Sequence, residues 1–594
     1  MTTYSAPTKD MQFVMSELAG YKDMAQLPGF EEATVDLLTV VLDEAGKLAE
    51  EVLAPLNQKG DQAGAKLLDG KVVATEGFDA AYQQFIEGGW MSISQSPGYG
   101  GQGLPHLLLT ATSEMWNASN LAFSLCPLLT TGAIEAIEAH ANETLKSQYL
   151  PKLISGEWAA TMNLTEPQAG TDLAAVRSKA VPNGDHYLVS GQKIFITWGD
   201  HELTENIAHL VLARLPDAPE GVRGISLFLV PKFLINADGS LGARNDLRAV
   251  SLEHKMGIHG SPTCVMSYGD EGGAIGYLVG EENKGLTGMF TMMNHARLGV
   301  GTQGVAIADR AYQQAVAYAR DRLQGEAPGI KGRAAIIHHA DVRRMLMTMR
   351  ALTEAARAVN YVSSATMDFA HRAETEEQRQ GYQARIDLLT PIAKGWCTEV
   401  AQEVTSLGVQ IHGGMGFIEE TGCAQYMRDA RITTIYEGTT GIQALDLVGR
   451  KILRDGGQAL MALLSEMEAF DAEIEQAGDQ LSAIRNSFSE GKAALVSASQ
   501  WLREHAMDNP HTPGAISFDY LMLMGTVVGG WQMARAAIVA SKALASGEGD
   551  QDFYRSKLAI AGFYAAHIMP RSKTYLAGVL AGEQEIMGLD ADLM

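Results

Sequence analysis

The spacing of apolar residues changes repeatedly along the chain. From about 30 to 160 they recur every three or four positions, as in "EEATVDLLTVVLDEAGKLAEEVLAPL" and "HLLLTATSEMWNASNLAFSL". That is the period of helices with one buried face. From about 161 to 280 the runs shorten and become β-rich. "HYLVSGQKIFITWG", "AHLVLARL" and "GISLFLVPKFL" alternate with Gly, Pro, Asn and Asp, which predicts an antiparallel sheet or small barrel. Helical spacing returns near 286, where Val305, Ala308, Tyr312, Ala315, Val316, Ala319 and Leu323 make one stripe. Two more long helices are predicted in "DVRRMLMTMRALTEAARAVNYVSSATMDFA" and "LTPIAKGWCTEVAQEVTSLGVQIH". From about 455 onward helices continue, punctuated by "NPHTPGA" and "SGEGDQ". Strands do not alternate with helices, which argues against a doubly wound parallel fold.

Composition narrows the picture. At roughly 100–200 residues per domain, 594 residues suggest about three to five domains. The net charge of −24, from 70 acids against 46 bases, argues against a phosphate-rich partner such as a nucleic acid. Cys126, Cys264, Cys397 and Cys423 form no C-x-x-C pair and are too sparse for a disulfide framework or zinc site, so no metal is expected. "MTTYSAPTKDMQF" lacks the regions of a signal peptide, and no run of about 18 uncharged apolar residues is present. A soluble, cytoplasmic protein is expected.

Four segments carry candidate chemistry, and one is a decoy. "GYGGQG" at Gly98–Gly103 matches G-x-G-x-x-G but sits in a helical region without a strand before it, so it reads as a plain loop. "NLTEPQAGTDLAAV" (Asn163–Val176) combines Thr165, Glu166, Gly170, Thr171 and Asp172 in a turn able to hold a polar ring edge or phosphate. "IFITWG" offers an aromatic face at Phe195 and a hydroxyl at Thr197. "VQIHGGMGF" clusters Gly413, Gly414 and Gly416 after a long helix, where glycine caps the helix or admits a ligand close to the backbone. "RITTIYEGTTGIQ" (Arg431–Gln443) holds one acid, Glu437, between Tyr436 and Gly438. Because "YEGTTGIQALDLVGRKIL" continues as a helix, Glu437 is either a first-turn acid favoured by the helix dipole or a base in an apolar setting. His338 and His339 are adjacent on a predicted helix and read as structural. The 27 methionines read as core filler.

Together and in this order, the four segments resemble the acyl-CoA dehydrogenase family. "LTEPQAGTD" and "QIHGGMGFIEE" are similar to its two signatures, and "IYEGTTGIQ" to the segment bearing its base. The resemblance covers roughly 40–450, and the block after about 455 is similar to the extra helical domain of the long bacterial branch. It implies an α+β multidomain fold. The expected parts are an N-terminal extension (1–40), an N-terminal helical domain (41–160), a central antiparallel β-barrel (161–282), a helical bundle bearing the base (283–453) and an additional C-terminal helical domain (454–594).

By the same resemblance, FAD is the cofactor. Met162, Leu164, Thr165, Gly170 and Thr171 would contact the isoalloxazine and phosphates, with Phe195 and Thr197 over the ring. Arg322, Gln324, Gln410, Gly413 and Gly414 would reach FAD across a subunit boundary, and Thr439 would touch it beside the base. Many relatives carry Trp at the position of Phe195, and "DRLQG" lacks their phenylalanine beside Arg322. Thr171, Asn294, Arg297, Tyr436 and Gly438 would line the acyl-CoA site, Arg297 and Asn294 at a helix start. The implied reaction is α,β-dehydrogenation of an acyl-CoA thioester to the 2-enoyl-CoA. Glu437 takes the α-proton, aided by a raised pKa, and flavin N5 takes the β-hydride. The thioester oxygen is met by the backbone N–H of the base and a flavin ribityl hydroxyl. An electron-transfer flavoprotein accepts the electrons, and a homodimer is expected. Within the branch the sequence is most similar to members that convert 3-(methylthio)propanoyl-CoA to 3-(methylthio)acryloyl-CoA in dimethylsulfoniopropionate demethylation. The alternative is a general short- or medium-chain enzyme of fatty-acid β-oxidation. An oxidase on the same fold stays open. A DNA-associated relative would carry a basic C-terminal domain, whereas "SEMEAFDAEIEQAGDQ" is acidic.

Overall fold

The computed structural model describes residues 4–594; the first three residues of the stretch read for a signal peptide lie outside them. The chain divides into two compact units. The first comprises the described residues up to Asp43, Pro105–Ala118 and Arg297–Met594; the second comprises Glu44–Leu104 and Ser119–Ala296.

In the second unit a hairpin interrupts the stretch expected to be helical. Strands β1 (Lys66–Leu68) and β2 (Lys71–Val73) pair antiparallel. They turn at Asp69 and Gly70, both left-handed (φ +49° and +76°), as a two-residue hairpin requires. The "LDG" between apolar runs was the signal in the sequence.

The main sheet draws on β3 (Trp158–Asn163), β4 (Lys179–Asn183), β5 (His186–Thr197), β6 (Asn206–Arg214) and β7 (Ile225–Pro231). After the small hairpin of β8 (Phe233–Ile235) and β9 (Leu241–Arg244) come β10 (Leu247–Leu252), β11 (Thr263–Tyr268) and β12 (Ala274–Val279). The order is β10-β11-β5-β12-β7-β6-β3, with β4 beside β5 and β6. One expectation is corrected: the sheet is not wholly antiparallel. β3 runs parallel to β6, from Trp158↔Asn206 to Asn163↔Val211, and β4 meets β6 in parallel at Lys179↔Arg214. β6 and β7 are buried along almost their whole length, so their continuous apolar runs show no alternation from which direction could be read. The sheet's core gathers Val189, Ile196, Val211, Phe228, Val230 and Met266. The helix Leu121–His140 is long and apolar enough to cross a membrane, but 83% of that window is buried inside the protein, as in a core helix. "GYGGQG" forms a short 3-10 turn and a loop with no strand before it.

In the first unit, Ala340–Arg372 and Glu376–His412 form an antiparallel pair, the second started by a reciprocal Thr375–Gln378 capping box. The C-terminal helix Thr512–Ser546 lies against this pair. A Cβ on Gly525 would stand 2.2 Å from Trp396, so glycine is what lets the helix approach. A buried charge network joins segments far apart in sequence. Arg357, on Ala340–Arg372, donates to Asp10 (2.6 Å), Glu114 (2.5 Å) and Asp309 (3.0 Å), while Lys557 pairs with Asp10 and with Glu354 at 2.9 Å. Burial alone would raise the Asp10 pKa, but Lys557 and Arg357 override it and hold it at about 2. His338 and His339 are not on a long helix. His338 ends a 3-10 turn, and His339 precedes Ala340–Arg372 with its Nε2 2.7 Å from the Gln324 carbonyl.

Candidate active site

The segment "RITTIYEGTTGIQ" is a 3-10 turn, Arg431–Thr434, followed by a tight loop and the helix Thr440–Leu445. Glu437 lies in the loop, ahead of Thr439, whose hydroxyl caps the helix by accepting from the Ile442 N–H (3.2 Å). Glu437 is therefore not an acid of the helix's first turn, and that reading falls. Thr439, expected beside the cofactor, spends its hydroxyl on the cap.

Glu437 has φ +55° and Gly438 φ +87°. A left-handed glutamate is sterically costly and persists only where its surroundings over-determine it. The surroundings are visible. The Gln443 amide donates to the Glu437 carbonyl (3.1 Å), and the Lys394 ammonium donates to the Gly438 carbonyl (2.6 Å). The Thr440 hydroxyl donates to Glu399 (2.6 Å), so Lys394 and Glu399 tie the loop to one helix, Glu376–His412. The Tyr436 hydroxyl donates to Gln303 on the helix Gly285–Asp321.

The electrostatics follow from burial. Desolvation pushes the Glu437 carboxyl up to about 7, against the pull of Arg297 and Lys394. Desolvation likewise brings Lys394 down to about 7, with Glu437 and Glu399 opposing and Arg297 reinforcing the shift. Arg297, also buried, is lowered by desolvation and faced by Asp446 and Glu437. The result is a carboxyl titrating near neutrality beside a buried lysine and a buried arginine, a suitable arrangement for a general base. Arg297 does not begin its helix as expected; the helix starts at Gly285. Asn294 on the same helix is exposed, whereas Arg297 is buried.

The second unit holds the other expected group. Glu166 anchors the "LTEPQAGTD" loop. It accepts from the Ser178 hydroxyl (2.7 Å), the Arg177 and Ser178 N–H groups (2.8 and 3.0 Å) and the Lys193 ammonium (2.8 Å). Burial would raise Glu166, but Lys193 and these donors hold it at about 2; burial lowers Lys193 to about 8. The Arg214 guanidinium grips the far end through the carbonyls of Ala174 (2.7 Å) and Val176 (2.8 Å). Between these anchors Gly170 and Thr171 are exposed, Leu164 and Thr165 half-buried and Met162 buried.

Phe195 is 59% exposed with φ +61°. Its position has a cause. β5 pairs Lys193 with Met266 and Ile196 with Cys264, so Ile194 and Phe195 oppose Val265 alone. This bulge turns the aromatic face outward. The Thr161 hydroxyl donates to the Thr197 carbonyl (2.7 Å), fixing β3 to β5.

These residues fit a flat, phosphate-bearing cofactor. A Cβ on Gly170 or Gly414 would meet nothing within 4 Å, so chain packing does not demand glycine at either place. Bare backbone at both leaves room for close approach. Gly413, by contrast, ends the helix Glu376–His412 with φ +59°. Arg322, Gln324, Gln410, Gly413 and Gly414 are all exposed.

Sequence reasoning missed Lys394, Gln443 and Gln303. For Lys394 a signal existed: one cation in the apolar run "LLTPIAKGWC". The rule that singled out Glu437 applied equally there.

Comparison with known proteins agrees. Residues 39–157, 161–270 and 283–453 match the N-terminal, middle and C-terminal domain models of acyl-CoA dehydrogenases, and 463–590 match an acetyl-CoA dehydrogenase C-terminal-like model. A 3-methylmercaptopropionyl-CoA dehydrogenase of Ruegeria pomeroyi is 49% identical, with 96% of each chain covered. A broad-specificity linear acyl-CoA dehydrogenase of Mycobacterium tuberculosis is 34% identical, with 99% of each covered. An acyl-CoA dehydrogenase from Bacillus anthracis complexed with FAD shares the fold, with TM-score 0.74 at 21% identity over 98% of this chain and 92% of that one. This chain belongs to the acyl-CoA dehydrogenase family and is an FAD-dependent enzyme of that type.

Proposed function

We propose that this enzyme converts 3-(methylthio)propanoyl-CoA to 3-(methylthio)acryloyl-CoA in dimethylsulfoniopropionate demethylation, with Glu437 as the base. The observation carrying the chemistry is the left-handed, clamped Glu437 whose carboxyl titrates near 7. The substrate rests on 49% identity to the Ruegeria pomeroyi enzyme over nearly the whole chain.

The Cα–H bond breaks as the Glu437 carboxylate takes the proton, and the electron pair left behind begins the Cα=Cβ bond. Bound FAD supplies the chemistry of hydride acceptance from Cβ. Burial gives Glu437 an affinity for the α-proton that a solvated carboxylate lacks. Backbone N–H groups of the loop meet the charge developing on the thioester oxygen. Thr171, Asn294, Arg297, Tyr436 and Gly438 are the residues assigned to the acyl-CoA. Met162, Leu164, Thr165, Gly170, Thr171, Phe195 and Thr197 hold the flavin, with Thr439 beside it. Arg322, Gln324, Gln410, Gly413 and Gly414 complete the flavin site of a second copy in a cytoplasmic homodimer. The exposed Met415, Phe417 and Ile418 support that pairing, since apolar side chains so close together favour a covering partner. An electron-transfer flavoprotein takes the electrons. The chain's regions are an N-terminal extension (1–40), an N-terminal helical domain (41–160), a β-barrel (161–282), a helical bundle bearing the base (283–453) and an additional C-terminal helical domain (454–594).

A second reading, a short- or medium-chain enzyme of fatty-acid β-oxidation, is favoured by butyryl-CoA dehydrogenases of Syntrophomonas wolfei at 33% and 32% identity. A panel of acyl-CoA substrates with an artificial electron acceptor tests both. The proposal expects the highest kcat/KM with methylthiopropanoyl-CoA and lower values with C4–C8 chains. A butyryl or longer chain turned over best refutes it. Oxygen consumption in place of acceptor reduction would indicate an oxidase.

A further inference from the structure

We infer that Lys394 is the positioning residue of the catalytic base, holding the strained loop in place through the Gly438 carbonyl and setting the base's charge state. This rests on the assignment of Glu437 as base. Lys394 is fully buried on the helix Glu376–His412. Its ammonium is 2.6 Å from the Gly438 carbonyl and interacts electrostatically with the Glu437 carboxyl. A buried lysine is rare and is retained where it meets a specific partner. Here the partner carbonyl belongs to the residue after a left-handed glutamate. Gln443 grips the carbonyl before it, so two successive peptide units are fixed from outside the loop. Without these donors the loop loses the contacts that offset its left-handed conformation. A carboxyl displaced by about 1 Å from the productive position loses about a hundredfold in rate.

The charge has its own effect. Glu437 faces Arg297 from the helix Gly285–Asp321 and Lys394 from Glu376–His412. Lys394 also senses Glu399, while Arg297 is drawn toward Asp446 and repelled by Arg450, both on the π-helix Asp446–Leu453. Each cation thus also meets a second acid, and the Lys394 ammonium is bonded directly to the base's own loop. Losing its charge moves ionisation of Glu437 to higher pH, because a neighbouring cation stabilises the carboxylate.

Three Lys394 variants, purified with FAD, separate these effects, with Glu437→Gln measured alongside. Lys394→Met removes donor and charge; Lys394→Gln keeps a donor without charge; Lys394→Arg keeps both. Stopped-flow flavin reduction and the pH profile of kcat/KM are the readouts. In Lys394→Met, the reduction rate falls about a hundredfold at little change in KM. The acidic limb of its kcat/KM profile moves upward, costing about tenfold or more at pH 6. Lys394→Gln shows the same limb shift with a smaller loss of rate, and carries the test if the Met variant does not accumulate. Lys394→Arg returns the limb toward its wild-type position. Wild-type rates and limb in the Met and Gln variants overturn the inference, as does an Arg variant no better than Met. If Glu437→Gln is reduced by substrate at the wild-type rate, the base assignment itself falls, which separates that failure from a failure of Lys394.

Discussion

The raised Glu437 pKa is a stability statement as well as a catalytic one. Its carboxyl moves from 4.5 to about 7 in the folded protein. That change corresponds to about 3.4 kcal/mol of disfavoured ionisation. The side chain is half-buried rather than sealed from water, so solvent screening brings the expected figure to about 2 kcal/mol. The direction follows from linkage. Below pH 4.5 the carboxyl is protonated both folded and unfolded, and no difference arises. Between 4.5 and about 7 the unfolded chain releases the proton first, so stability falls as pH rises. Above about 7 the full cost is present. Glu437→Gln, which cannot ionise, therefore stabilises the resting enzyme at pH 8 and leaves it unchanged at pH 4.5. For a cooperative unit of several hundred residues, about 2 kcal/mol corresponds to about 2–3 °C in Tm. The assay is calorimetry of wild type and variant at equal FAD loading, without substrate, at both pH values. The same variant loses flavin reduction by substrate. A variant melting at or below wild type at pH 8, or shifted equally at both pH values, refutes the claim that burial raises this carboxyl.

Other consequences are open to the same kind of test. Phe195→Gly removes a left-handed non-glycine residue, worth about 1 kcal/mol of backbone relief; the apoprotein is expected to keep or raise its Tm while FAD dissociates faster, and a lower Tm would mean the ring is needed for packing. Glu166→Gln leaves the Lys193 charge buried without its counter-ion, an expected loss of about 3–5 kcal/mol read by denaturation, with reduced FAD content. Because Glu166 is held at about 2, its stabilisation is present above the ordinary carboxylate range and fades as pH falls toward 2; a wild-type acid-stability profile in the variant would contradict it. Gly525→Ala drives a Cβ into Trp396 and is expected to lower stability by about 1–3 kcal/mol, measured by urea denaturation.

Much was legible because it is local. The switch from helical to β texture near 160 and back near 286 is written in residue spacing, which reports which face of each element is buried. The hairpin at Asp69–Gly70 is equally local, but it is short and lies within a stretch whose spacing is otherwise helical. The parallel pairing of β3 with β6 was not legible, since strands buried on both faces show no alternation.

At the site, the sequence by itself determined which residues are present and in what order: the two glycine-bearing signatures, the aromatic at 195 and the single acid in "IYEGTTG". It left Glu437 between a helix-start acid and a base, because both readings depend on what surrounds the carboxyl. Only the tertiary structure decided that. It placed the helix start at Thr440, put Glu437 in a left-handed turn, and brought Lys394, 44 positions away, onto the next carbonyl. Phe195 likewise faces outward because one residue of β11 opposes two of β5. Periodicity and composition are properties of neighbours in sequence. Desolvation, strain and charge pairing depend on neighbours in space, and those exist only once the chain has folded.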